Sequence, residues 1–179
     1  MKLAYQTAIA TFLLGTSIFV AYYFTSSAIV LFIGYGFIAL ALIVNILILF
    51  ILVSKSKKDK NNSKAILTSI VVMLLNIPVM LCYSWFTMVL LNTIRITFTN
   101  FTDTTITDIN IIGCEKEYIN KLEIGESKTV WVAITGDCSI NINYLANKEK
   151  KYENVMSYVT GNMGRIMNCK IGVKSKFNL

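Results

Sequence analysis

Two long blocks without a single charged side chain dominate the first half of the chain. No Asp, Glu, Lys or Arg occurs at 3–53 or at 65–94. The polar residues at 25–27 divide the first block, so the pattern predicts three apolar helices, near 3–24, 28–53 and 65–92. At about 1.5 Å per residue each is long enough to cross a hydrocarbon core roughly 30 Å thick. The short 25–27 turn makes the first two a helical hairpin. Pro78 lacks an N–H and leaves the carbonyl of Leu74 without its helical donor, which predicts a kink in the third span.

From residue 93 the periodicity changes. Ile94, Ile96 and Phe98 alternate with Arg95, Thr97 and Thr99, the signature of a half-buried strand at 93–101. Further strands are expected at 105–112, 118–122, 128–134, 138–144, 152–159 and 166–173, separated by turn-like segments at 100–104, 124–126, 136–137, 146–151 and 161–164. Seven short strands with regularly spaced turns predict a small all-β antiparallel sandwich of immunoglobulin or fibronectin type. Trp131 is expected in its core, and Ile140, Ile142 and Tyr144 give one strand an inward face. The chain therefore divides into a transmembrane region, 1–92, and a β-sandwich domain, 93–179.

Charge adds an orientation. The net charge is +7, and +4 of it lies in 54–64 (SKSKKDKNNSK), where Lys55, Lys57, Lys58, Lys60 and Lys64 oppose only Asp59. A lysine cluster between two spans marks a cytoplasmic loop. The N-terminus is then cytoplasmic and the sandwich extracytoplasmic, in a cell membrane of bacterial inner-membrane type. The first run has a rival reading as a cleaved signal peptide, because Ser26, Ser27 and Ala28 are small. Its apolar region is longer than the usual 7–15 or so residues, and cleavage would leave two spans with the tail on the same side.

The absence of His removes the commonest general base and metal ligand, and none of the four Cys forms a C-x-x-C. No cofactor, metal or catalytic residue is expected, and the basic excess is not gathered on one soluble face as nucleic acid binding requires. In an oxidising compartment Cys114 and Cys138, each flanked by turn residues, are the preferred disulfide, with Cys169 a buried thiol. Asn45 and Asn76 lie at similar depths, roughly 14–17 Å from the cytoplasmic end of their helices, and an interhelical hydrogen bond between them is expected. Gly161, Asn162, Met163 and Gly164 form the most distinctive loop and the candidate contact for a partner. Asn100-Phe101-Thr102 and Asn61-Asn62-Ser63 match the glycosylation sequon.

These features point to a non-enzymatic membrane protein that displays a sandwich for protein recognition or complex assembly, as an accessory subunit. Its expected partners are membrane lipid and another envelope or membrane protein, or a second copy. An immunity protein against an envelope-targeting toxin is one alternative. A channel or transport component using Asn45, Asn76 and Pro78 is the other.

Overall fold

In a computed structural model, described for residues 2–58 and 63–173, the chain divides into two compact units, Met1–Thr87 and Met88–Leu179. The first is helical. Helix α1 (Lys2–Thr25) turns at Ser26 and Ser27 into α2 (Ala28–Lys58). Ser26 takes a positive φ of 48°, and its N–H still bonds the carbonyl of Tyr22 at 2.8 Å. Helices α3 (Ser63–Leu74) and α4 (Asn76–Leu91) are separated by Leu75 alone. This interruption has a covalent cause: Pro78 offers no N–H to Leu74.

Three stretches, Ala4–Thr25, Ala28–Lys55 and Ile66–Leu91, are long and apolar enough to cross a membrane. Leu13, Leu14, Ile29, Phe32 and Phe50 are exposed, so α1 and α2 present apolar side chains outward as well as to each other. Between the helices lies a small core of Ala4, Ala8, Leu52, Ile66 and Met73. Helix α2 continues through Ser54 to Lys58, five residues past the expected helix end at 53. Lysine is a good helix former, so charge alone does not end a helix. Lys60 lies outside the described residues, as do Asn61 and Asn62 of the second sequon.

The second unit holds seven strands: β1 (Thr93–Asn100), β2 (Ile106–Ile112), β3 (Glu117–Leu122), β4 (Ser127–Ala133), β5 (Cys138–Ala146), β6 (Glu149–Val159) and β7 (Ile166–Ile171). They form a three-stranded sheet, β4-β1-β7, and a four-stranded sheet, β3-β2-β5-β6. Between the sheets lie Ile94, Ile96, Phe98, Ile109, Ile119 and Ile142, all fully buried. Each such side chain contributes about 1.5–3 kcal/mol on leaving water.

Three features differ from the pattern-based expectation. First, the sandwich is not wholly antiparallel, because β7 pairs with β1 in parallel, Arg95 opposite Ile166 and Asn100 opposite Ile171. The cause is where β6 ends. Its last residue, Val159, sits opposite Cys138, and the following loop returns to Leu91, so β7 starts beside the start of β1. Second, the β5–β6 turn is only Asn147 and Lys148, both at positive φ (52° and 66°), and both strands run further than expected. Third, Trp131 is 38 % exposed. Val130 and Val132 are buried instead, so alternation places Trp131 on the outer face, opposite Arg95, whose guanidinium lies 5.4 Å from its ring centroid.

Candidate functional site

The candidate partner loop begins where β6 ends and is drawn back to the end of α4. The Gly164 N–H donates to the carbonyl of Leu91 at 2.7 Å, and the Asn162 N–H donates to Asn92 Oδ1 at 3.2 Å. The Asn92 side chain in turn donates to the carbonyl of Met88 at 2.9 Å. Orphan carbonyls of a helix C-terminus need donors, and here the loop supplies one of them. Approach this close requires glycine: a Cβ on Gly164 would lie 2.0 Å from the Leu90 carbonyl oxygen. Gly161 has no such constraint, its nearest neighbour being Asn92 Oδ1 at 3.6 Å. The loop keeps Asn162 and Met163 at the surface while its backbone braces the junction.

Asn92 alone separates α4 from β1. The junction carries further bonds: Thr93 Oγ1 to the Val89 carbonyl at 2.8 Å, Ile134 N–H to the Asn92 carbonyl at 2.8 Å, and Arg95 N–H to the Arg165 carbonyl at 2.8 Å. Nearby, a disulfide joins Cys114, just past β2, to Cys138 at the start of β5, with a Cα–Cα distance of 5.4 Å. Gly113 precedes it at φ 119°, and a Cβ there would lie 1.6 Å from the Ser139 carbonyl oxygen. The backbone conformation and the space both exclude a side chain.

The opposite end of the sandwich is fastened by side chains. Asn100, fully buried, donates to the carbonyls of Thr104 and Leu122 and accepts from the Thr102 N–H and hydroxyl. Its amide is consumed by the fold, so this sequon offers no accessible acceptor for a glycan. Glu153 accepts from the Tyr144 hydroxyl and from the Gly172 N–H, linking β5, β6 and the end of β7. Burial, then the bond to Glu153, raises the Tyr144 phenol above its ordinary value. Burial, with the Glu153 charge adding, pushes the Cys169 thiol up to about 11.

In the helical unit the two amides do not meet. Asn76 donates to the carbonyl of Ala8 and to Thr11 Oγ1, both at 3.0 Å. Asn45 donates along its own helix to the Ala41 carbonyl at 2.7 Å, and its Oδ1 is buried without a partner among the described residues. Depth along a helix is readable from sequence, but azimuth decides the partner, and Asn76 faces α1. An aromatic group that periodicity did not single out adds to this contact. Phe19 stacks on Tyr83 with centroids 4.7 Å apart, and the Tyr83 hydroxyl bonds Thr16 Oγ1 at 2.9 Å. Of the basic set, Lys55 and Lys64 are exposed, and the backbones of Lys57 and Lys58 close α2.

No family model matches this sequence, and no significant match was found among curated proteins or solved structures.

Proposed function

We propose that the chain is an integral membrane protein with three spans, whose sandwich acts outside the membrane as a recognition or assembly module. One observation carries this reading. The last helix and the first strand are joined by a single residue, and the loop after β6 braces that joint through Gly164 and Asn162. The start of β1 and the loop after β6 are thereby held in one arrangement around residues 88–92, an ordered surface of the kind a docking module uses. Preorganisation of that kind lowers the cost of ordering on binding.

Orientation has two independent supports. The lysine-rich 54–64 segment favours the cytoplasmic side. The Cys114–Cys138 bond favours an oxidising compartment for the sandwich. As to lineage of shape, we read the domain as immunoglobulin-like. Counted from the second strand of such a sandwich, β1–β6 have the B–E, C–F and F–G neighbours of that fold. β7 then takes the place of the first strand in the opposite direction. A transport role is less favoured, since Asn76 is spent on Ala8 and Thr11 rather than left to face a path.

The test is surface cross-linking of native membranes, mild-detergent purification of the tagged chain and mass spectrometry. A stoichiometric membrane partner, linked through the sandwich, is the expected result. Labelling of Lys148 and Lys150 by an impermeant amine reagent on intact cells should accompany it. Protection of both, with labelling of Lys55 and Lys64, would overturn the orientation.

A further inference from the structure

The four-stranded sheet turns one face to the core and the other to solvent. Strand register aligns four outward residues in a single row across it. Tyr118 of β3 is opposite Asn110 of β2, Asn110 is opposite Asn143 of β5, and Asn143 is opposite Tyr152 of β6. Two exposed rings, at 50 % and 64 %, thus bracket two amides. The next row along is Ile112, Asn141 and Asn154, equally free of charge. Surfaces of small domains usually carry about a quarter to a third charged residues, so two adjoining rows without one form a chemically distinct patch.

In the second row Asn154 donates to Asn141 Oδ1 at 2.8 Å and Asn141 to Ser139 Oγ at 3.0 Å, so only the amides of the first row differ in state from the polar groups on the other sheet. There, Thr97 bonds Thr129 and Thr99 bonds Ser127, each pair at 2.8 Å, and the hydroxyls satisfy one another. On the four-stranded sheet the Asn143 amide has no hydrogen bond among the described residues. Asn110 spends only its N–H, on the Asp108 carbonyl at 2.8 Å, and its oxygen stays open. An amide carries two donors and an acceptor with two lone pairs, so Asn143 can bridge neighbouring hydroxyls on a ligand. The rings are also set in place. Tyr118 is held by its hydroxyl to Asp108 Oδ1 at 2.8 Å, a bond that raises its phenol above the ordinary value. Lys150 lies 5.4 Å from the Tyr152 ring centroid.

We propose that this face is a binding site for an uncharged oligosaccharide of β-linked pyranose units. Aromatic faces stack on the C–H faces of sugar rings, and side-chain amides pair with vicinal hydroxyls; the row provides both, a ring at each end and two amides between. Its length suits such a chain. Three strand steps at about 4.8 Å place the two tyrosines ~14 Å apart, the extent of about three linked pyranose rings. The two rows carry no charge themselves, and the charges that flank them, Asp108 at Tyr118 and Lys150 at Tyr152, are opposite in sign, so the patch as a whole favours a neutral polyol over a polyanion or a basic peptide. This site is separate from the junction loop and goes beyond the assembly reading, so a failed partner search leaves it standing.

The test is titration of the full chain, reconstituted in lipid nanodiscs, with tetra-N-acetylchitotetraose by calorimetry or ligand-observed NMR. Saturable binding is expected. Tyr152→Ala and Asn143→Ala should each weaken it by about tenfold, as truncation of a central anchor does, while Thr129→Val on the other sheet leaves it unchanged. Should Tyr152→Ala not fold, Asn143→Asp, of the same shape, serves instead and should weaken binding similarly. Absence of saturable binding, or equal affinity in the variants, overturns the proposal. So does competition by polygalacturonate, or a Tyr152→Ala effect confined to self-association, which would make the face a contact between copies.

Discussion

Gly164→Ala separates a structural brace from a free binding tip, and the size of its effect follows from geometry. The added methyl would lie 2.0 Å from the Leu90 carbonyl oxygen and 2.6 Å from both the carbon and oxygen of the Leu91 carbonyl. These are backbone atoms of a helix end and cannot rotate aside, so the loop must withdraw. Overpacking of this kind costs about 1–3 kcal/mol. Loss of the Gly164–Leu91 hydrogen bond adds about 0.5–1.5 kcal/mol, for a total near 2–4 kcal/mol. In a domain of 60–100 residues each kcal/mol moves Tm by about 4–8 °C, so a fall of roughly 8–32 °C is expected. Gly161→Ala is the internal control, because its methyl would meet only Asn92 Oδ1 at 3.6 Å; its Tm should stay within about 3 °C. The assay is protease sensitivity of the full chain in detergent along a thermal ramp, under non-reducing conditions. A Gly164→Ala Tm matching the parent, or an equal loss in Gly161→Ala, would refute the brace.

Reduction or Cys114→Ser opens a cross-link spanning 24 positions and should cost about 3 kcal/mol, seen as a lower urea midpoint for the sandwich. Asn76→Leu should weaken packing of α4 on α1 by about 1 kcal/mol in a detergent-unfolding titration, whereas Asn45→Leu should be neutral or stabilising because it removes a partnerless buried oxygen. Stability should also fall at high pH. The Cys169 thiol is raised from 9.0 to about 11, so its contribution is complete below pH 9 and disappears as pH rises through 11. Tyr144, raised as well, extends the loss to higher pH. Urea midpoints measured between pH 8 and 11 should decline, and Cys169→Ala should flatten the early part of that decline.

Local signals account for what was legible in advance. Ile94, Ile96 and Phe98 alternate cleanly because β1 is the centre of its sheet with one face on the core. The seven strands fell close to their expected places for the same reason. Neighbour relations were harder. Nothing in the period-two pattern of 166–171 distinguishes a strand parallel to β1 from an antiparallel one, since the direction is set by a loop returning to Leu91. Trp131 is expected in the core, yet its own neighbours Val130 and Val132 occupy the inward positions. The Tyr118–Asn110–Asn143–Tyr152 row is invisible along the chain; it exists only through registers between four strands, one of them shifted by the irregularity between Thr107 and Asn110.

The parallel β1–β7 pair also sets a timetable. β1 is the first strand to emerge from the ribosome after the helices, yet the strand that covers its second edge follows about seventy residues later. At 5–20 residues per second that interval is roughly 4–14 s. Throughout it, β1 has an unpaired edge, and the core-facing side of Phe98 lacks the strand that carries Met167 and Cys169. A nascent chain in this condition exposes an unpaired strand edge, the kind of feature that holding chaperones and proteases recognise. Any premature stop before Ile166 would prolong the exposure indefinitely. Quality control of this protein is therefore expected to read the arrival of one six-residue strand.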